Sequence, residues 1–299
     1  MPIIRHTKTP TSFTLFLFAL LLFRVIESPA IDVVDDAGRK IFLEQPAKKI
    51  ISLAPHITEL IFSAGAGEKI SATDDYSDYP EAAKSITRIG DANHLDIETI
   101  LSLQPDLIVA WGNGQSHDHF IRKLIHLNQT VYISSPVNLD DIPRTVENLG
   151  KLAGTYPVAK QRSQEFRNTL KGIIDEYSKR SLVTVFYEIW HQPLFTINGQ
   201  HVISKVIQVC GGENIFTDLS ILSPEVSKES VIAADPDVII ASGDGKRRPP
   251  WLDDWLQWPT LLAVRNNHLD YIDPDLIQRH TFRILQGTRI LCEQLQGAR

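Results

Sequence analysis

The stretch Glu98-Thr-Ile-Leu-Ser-Leu-Gln-Pro105-Asp106-Leu-Ile-Val-Ala-Trp111-Gly112-Asn-Gly114 recurs 131 residues further on. The second copy is Glu229-Ser-Val-Ile-Ala-Ala-Asp-Pro236-Asp237-Val-Ile-Ile-Ala-Ser242-Gly243-Asp-Gly245. Seven of the seventeen positions are identical, and most of the rest exchange like for like. A duplication this regular implies two similar lobes with a cleft between them. Each copy reads the same way. Residues 98–103 have helical spacing, with Ile97, Ile100 and Leu101 on one apolar face. Pro105 ends the helix, because it lacks a donor and restricts the residue before it. Residues 107–110 are a continuous apolar run between Pro-Asp and Gly-x-Gly, the pattern of a strand buried on both faces of a parallel sheet. Ligands of open α/β sheets sit beyond the carboxyl ends of the strands. Trp111 and Ser242 therefore mark the expected mouth of a site.

A shorter echo supports the duplication. Gly65-Ala-Gly67-Glu68 resembles Gly211-Gly212-Glu213, each closing an apolar helical segment and leading into an expected strand. The strand–helix alternation continues on both sides of the repeat. Residues 31–42 read as a hairpin around Asp36-Ala37-Gly38. Residues 50–53 read as a buried strand, followed by a helix over 58–63 and a strand over 69–73. Helices are expected over 120–127 and 281–295, and strands over 131–133 and 183–187. Residues 157–180 predict a long helix without a matching strand, with Ala159, Phe166, Leu170, Ile173, Ile174 and Tyr177 on one face. Such a helix would span about 35 Å and would serve as a stiff connector. The expected organisation is a cleaved leader over 1–30, an N-terminal α/β lobe over 31–156, the connecting helix over 157–180, and a C-terminal α/β lobe over 181–299.

Composition narrows the function. The chain of 299 residues is 43% hydrophobic and 22% charged, ordinary for a soluble globular protein with two cores. A net charge of −6 argues against nucleic acid or an anionic membrane surface as partner. Arg5, His6 and Lys8 precede an apolar run over 13–23 and the small residues Ser28-Pro29-Ala30, which together read as a secretory signal cleaved after Ala30. The run is shorter than the roughly 20 residues that span a bilayer. An exported chain with two cysteines, Cys210 and Cys292, most often forms one disulfide. Closing so long a loop stabilises by about 4 kcal/mol.

Catalytic signatures are missing from the sequence: there is no G-x-S-x-G elbow, H-E-x-x-H or phosphate loop. Asp106 and Asp237 follow proline in both copies and read as structural turn residues. His56 opens the first helix of its lobe and faces the expected cleft. His117 and His119 form a His-x-His pair that would ligate a metal if the rings converged; a solvated loop is the alternative. Tyr76, Trp111 and Trp190 fall after expected strands, where flat side chains suit a large, flat, mostly apolar ligand. Trp251, Trp255 and Trp258 recur at helical spacing and read as core. Glu98 and Glu229 occupy equivalent places at the starts of the repeated helices. They read either as helix-terminal carboxylates or as two symmetric acidic knobs for a two-fold partner carrying arginines.

Taken together, the export signal, Ser52-Leu-Ala-Pro-His-Ile-Thr-Glu59, Tyr76-Ser-Asp-Tyr-Pro80, Pro105-Asp-Leu-Ile-Val-Ala-Trp111 and Val209-Cys-Gly-Gly-Glu-Asn-Ile-Phe216 resemble the periplasmic cobalamin-binding proteins of ABC importers. The resemblance runs from about Ile31 to Leu295. It implies two α/β lobes joined by one rigid helix, a disulfide between Cys210 and Cys292, and a soluble periplasmic protein that is not an enzyme. Cobalamin or a related corrinoid is then cargo, with no resident cofactor or metal. The matching ligand positions are Tyr76, Trp111, Asp275 and Arg279, the last two within Asp273-Pro-Asp275-Leu-Ile-Gln-Arg279. Glu98 and Glu229 match the docking positions for a membrane permease dimer, which works with its ATPase subunits. Ala92 and Ser223 stand where the family pattern has tryptophan, and Trp190 is extra. Haem or a ferric siderophore is the alternative ligand. A siderophore site would want several Arg or Lys residues in the cleft, where chiefly Arg279 is evident, which weighs against it. An exported metal enzyme using His56, His117 and His119 is the alternative of a different class.

Overall fold

A computed structural model describes residues 1–3, 30–91, 93–112, 118–243, 245 and 247–299. Residues 4–29 of the proposed leader, Ala92 and His117 lie outside the described residues. The chain opens with an antiparallel hairpin, β1 (Ile31–Val34) and β2 (Lys40–Leu43), whose turn is carried by Gly38 at φ +76°, a left-handed conformation that glycine adopts without strain. The first lobe follows as β3 (Ile50–Ser52), α1 (Pro55–Ser63), β4 (Ile70–Thr73), β5 (Thr87–Arg88), α2 (Ile97–Ser102), β6 (Leu107–Trp111), α3 (Asp118–His126), β7 (Val131–Ser134) and α4 (Asp141–Ala153). The long helix α5 (Tyr156–Tyr177) comes next. The second lobe comprises β8 (Val183–Glu188), β9 (Trp190–His191), β10 (Leu194–Phe195), α6 (Val202–Val209), β11 (Gly212–Asn214), α7 (Lys228–Ala234), β12 (Val238–Ala241), α8 (Leu262–Arg265), β13 (Leu269–Tyr271), α9 (Pro274–Ile277) and α10 (Ile284–Gly297).

The two main sheets show the duplication directly. Among the described residues the first runs β5-β4-β3-β6-β7 and the second β11-β8-β12-β13, and every pairing within them is parallel. Apart from the edge strand β5, the orders superimpose: β3 matches β8, β4 matches β11, β6 matches β12 and β7 matches β13. The repeated stretches form α2–β6 and α7–β12. Both strands are buried on both faces, as the apolar runs predict. Leu107 and Val109 of β6 face one core and Ile108 and Ala110 another; Val238 and Ile240 of β12 part from Ile239 and Ala241 in the same way.

The local devices repeat too. Asp106 accepts the backbone N–H groups of Lys48 and Lys49 at 2.7 and 2.8 Å, and Asp237 accepts those of Thr184 N–H and hydroxyl at 2.8 and 2.7 Å. Each aspartate thus ties its strand to the start of the neighbouring one, the structural role read from the sequence. The residues before the two prolines, Gln104 and Asp235, are both left-handed (φ 51° and 44°). Gly65 and Gly211, which follow α1 and α6, share φ +76° and +70°.

Helix α5 begins one residue before and ends three residues before the expected 157–180. Ala159, Phe166, Leu170, Ile173 and Tyr177 of its predicted face are buried, but Ile174 is exposed at 36%, because the stripe is narrower than the sequence suggests. The buried face joins the lobes by packing on α4 of the first and on α6 and α10 of the second. Phe166, Leu170 and Ile173 belong to one continuous core that also holds Leu107 and Val109 of the first sheet and Val185 and Val238 of the second. Cys210, at the end of α6, and Cys292, in α10, are bonded as a disulfide. Trp255 is core, at 1% exposure, though the turn carrying it, Pro250–Gln257, is 3-10 rather than α-helical. Trp190 is a second departure, lying in the two-residue strand β9 and not in a loop.

Candidate functional site

The strand order sets the place of the site. In the first sheet the connection reverses between β3 and β6, and in the second between β8 and β12; ligands of such sheets bind at the carboxyl ends of the strands flanking that reversal. His56 follows β3 and Trp111 ends β6, so both stand at the first lobe's reversal point. The buried imidazole meets the indole edge-on, with ring centroids 5.0 Å apart and planes at 81°. From the other lobe, the segment after β13 brings Asp275, Gln278, Arg279 and His280 opposite them. These residues, with Pro55 and Pro274, line a cavity of about 240 Å³.

Local chemistry holds each side chain. Pro55 starts α1, where its missing donor costs nothing. Asp273 caps α9 by accepting from the Asp275 N–H at 2.9 Å, which sets the register of Asp275 and Arg279. Gln278 Nε2 donates to the hydroxyl of buried Ser242, the residue that replaces Trp111 in the second copy. Tyr76 and Tyr79 are carried on a loop braced by a buried hydroxyl cluster. Thr58 of α1 lies 2.7 Å from both Thr73 and Ser77, and Arg88 donates to the carbonyls of Asp74 and Ser77. Burial raises the Asp74 carboxyl above its ordinary value, against hydrogen bonds from Ser77 and the Tyr76 N–H.

Charge concentrates where the lobes face each other. Arg279 reaches Glu59 at 3.1 Å, Asp78 at 2.6 Å and Asp275 at 3.0 Å. Arg283 binds both carboxylate oxygens of Glu59 and sits 4.2 Å over the Tyr79 ring, a cation–π contact. Desolvation lowers the affinity of both guanidiniums for the proton, yet the carboxylate hydrogen bonds outweigh it and raise both. Glu59 is only 3% exposed, and a carboxylate so buried requires charged partners.

Four of the six ligand positions expected from the sequence therefore converge on one cavity: His56, Trp111, Asp275 and Arg279. Tyr76 and Trp190 do not line it; they stand 64% and 37% exposed, and the Trp190 indole donates to the Gln192 carbonyl at 2.9 Å. Glu59, Asp78, Gln278, His280 and Arg283 were not read from the sequence. Only Glu59 left a signal there, as a lone charge within the apolar run of α1. A larger groove of about 730 Å³ is lined by Glu59, Tyr79 and Arg283 together with Phe62, Arg162 and Phe282 among others. It lies along α5 and α10; the smaller cavity, at the strand ends, is the candidate site, and the Glu59–Arg279 ion pair links the two. His119 is exposed beside Phe120, and no group of three metal-ligating side chains occurs among the described residues.

The two repeated glutamates stand apart from this cavity. Glu98 and Glu229 are exposed in the first turns of α2 and α7. The helices are capped by other residues: Asp96 accepts from the Thr99 N–H at 2.9 Å and Ser227 from the Ser230 N–H at 3.1 Å. Neither glutamate has an ion-pair partner among the described residues.

Comparison with known proteins places this geometry. The sequence pattern of the periplasmic binding proteins matches residues 50–276. The chain belongs to the periplasmic binding protein family. Within that family it is similar to the vitamin B12-binding protein of Vibrio campbellii, 35% identical over 259 residues, which cover 86% of this chain and 93% of that one. The crystal structure of the periplasmic vitamin B12-binding protein BtuF of Vibrio cholerae aligns with a TM-score of 0.78 at 34% identity, covering 85% of this chain and 98% of that one. The periplasmic heme-binding protein RhuT of Roseiflexus sp. RS-1 shares the fold, with a TM-score of 0.71 at 22% identity over 85% of this chain. Two α/β lobes with parallel sheets are thus the periplasmic-binding-protein fold. No described helix is long and apolar enough to cross a membrane.

Proposed function

We propose that this chain is a periplasmic substrate-binding protein, not an enzyme, that captures cobalamin or a related corrinoid between its lobes. It then delivers the ligand to a membrane ABC permease dimer driven by its ATPase subunits. The observation that carries the reading is the convergence of His56 and Trp111 from one lobe with Asp275 and Arg279 from the other at the strand ends. Relatives about one-third identical over most of this chain are named for vitamin B12, which favours that ligand over haem or a ferric siderophore. Trp111 and His56 offer aromatic surface to the corrin, while Asp275 and Arg279 offer a hydrogen-bond acceptor and donor to its amides. Cobalamin exceeds the 240 Å³ cavity, and its outer part rests against Tyr76 and Trp190. Glu98 and Glu229 supply one docking carboxylate per lobe to the permease.

Titration of the purified mature protein with cyanocobalamin, followed by calorimetry and tryptophan fluorescence, tests this. One-to-one binding at submicromolar strength is expected, and Trp111→Ala should weaken it by roughly tenfold to a hundredfold, since truncating a buried aromatic anchor costs about 2 kcal/mol or more. Absence of binding, with haem or a ferric hydroxamate bound instead, would replace cobalamin as the ligand.

A further inference from the structure

Arg279 is the cation that the cleft presents to a ligand, yet it is surrounded by carboxylates. Glu59 and Asp78 reach it from the first lobe, at 3.1 and 2.6 Å, and Asp275 from its own helix at 3.0 Å. Arg283, the remaining cation of the cluster, is bound to Glu59. Two guanidinium charges thus meet three carboxylate charges. Glu59 contacts both arginines from a position 3% exposed, and the side chains of Arg279 and Arg283 are 19% and 18% exposed. Charges held this far from water interact more strongly than exposed ones.

We infer that Glu59 and Asp78 determine ligand specificity by cancelling the charge of Arg279, so that the cleft accepts uncharged, amide-bearing ligands and rejects carboxylate-bearing ones. The inference rests on the cobalamin reading and deepens it. A guanidinium already balanced by carboxylates still donates hydrogen bonds to a neutral amide carbonyl. A ligand carboxylate at the same place gains little from Arg279, is repelled directly by Asp275 in the cavity lining, and is repelled at longer range by Glu59 and Asp78, which are paired to Arg279. Like-charge juxtaposition of this kind is how a binding site discriminates against a near-isostere. Glu59 has a second role as a positioning residue, because it holds Arg279 and Arg283 side by side across the lobe boundary.

The test compares cyanocobalamin with its b-, d- and e-monocarboxylic acids, in each of which one propionamide is hydrolysed to a carboxylate. Binding of each to the full mature protein is measured by calorimetry at low and high salt. At least one acid should bind about tenfold more weakly than cyanocobalamin, a difference of about 1.4 kcal/mol, and the ratio should shrink as salt screens the anions. Asp78→Asn should cut that ratio several-fold. Glu59→Gln should do the same, with a thermal melt confirming that this buried variant folds. Because the readout is a ratio, a general loss of structure does not mimic it. Equal binding of all three acids by the parent protein, or a ratio unchanged in Asp78→Asn, overturns the inference while leaving the cobalamin reading intact. Failure of cyanocobalamin itself to bind overturns that reading and the inference with it.

Discussion

Glu188 shows how one residue couples the site's surroundings to pH. It ends β8 with 2% exposure and accepts a hydrogen bond from the buried Trp255 indole at 2.7 Å. Desolvation pushes its carboxyl up from 4.5 to about 7, against the Trp255 hydrogen bond and the nearby Lys228 charge. Between those values the folded state holds a proton that the unfolded chain has lost. Its contribution to stability therefore falls as pH rises from about 4.5 to about 7, then levels off. The full effect is about 3 kcal/mol. The buried pair His201 and His280, lowered by desolvation to about 4 and about 3, acts oppositely below pH 6.5. The check is therefore the difference between Glu188→Gln and the parent in melting temperature from pH 4.5 to 8. That difference should grow across the window as the glutamine variant escapes the penalty; parallel profiles would refute the assignment. The same scale shows what the sequence conveys. His56 and Trp111 were legible because a position just after an apolar strand is fixed by local pattern. Asp78 and Arg283 were not, because their roles arise from contacts across 201 and 224 residues of chain, which no local spacing encodes.

At the scale of the element, the duplication predicts paired behaviour. Asp106 and Asp237 each satisfy two donors at the start of a neighbouring strand. Replacing either by alanine leaves those donors dependent on water and should cost about 1–3 kcal/mol, read as a shifted urea midpoint with unchanged slope. A cost at only one of the two sites would refute their equivalence. The repeated helices and the doubly buried strands were legible because helical spacing, a proline stop and an uninterrupted β-branched run agree. The two-residue strands β5, β9 and β10 were not, since two residues carry no period. The tryptophans at 251, 255 and 258 suggested an α-helix, but a proline-led segment settled into a 3-10 turn that still buries Trp255.

The whole molecule is organised by what crosses between its halves. Within the second lobe, Cys210 and Cys292 close a loop of 82 residues, and replacing both by alanine should lower stability by about 4 kcal/mol, or roughly 10 °C in melting temperature. A melt unchanged by mutation or by reduction would show that the bond stabilises nothing. The exposed glutamates belong to this scale because the proposed docking uses one from each lobe. Glu98→Lys with Glu229→Lys should weaken association with the reconstituted transporter by at least roughly tenfold and leave the cobalamin titration unchanged; undiminished association would remove them from the docking role. The two-lobed plan was legible as soon as the repeat was seen. How firmly the lobes are joined was not, because the sequence does not show which residues on either side of α5 meet its buried face.

That face has an evolutionary corollary. Phe166, Leu170 and Ile173 lie on a helix packed against α4 of the first lobe and against α6 and α10 of the second, so neither ancestral half could now be cut away without baring part of that face to water. The duplication has become irreversible. Heating should dissolve the two descendants in one event, and a protease nicking the chain beside α5 should find two fragments that stay together.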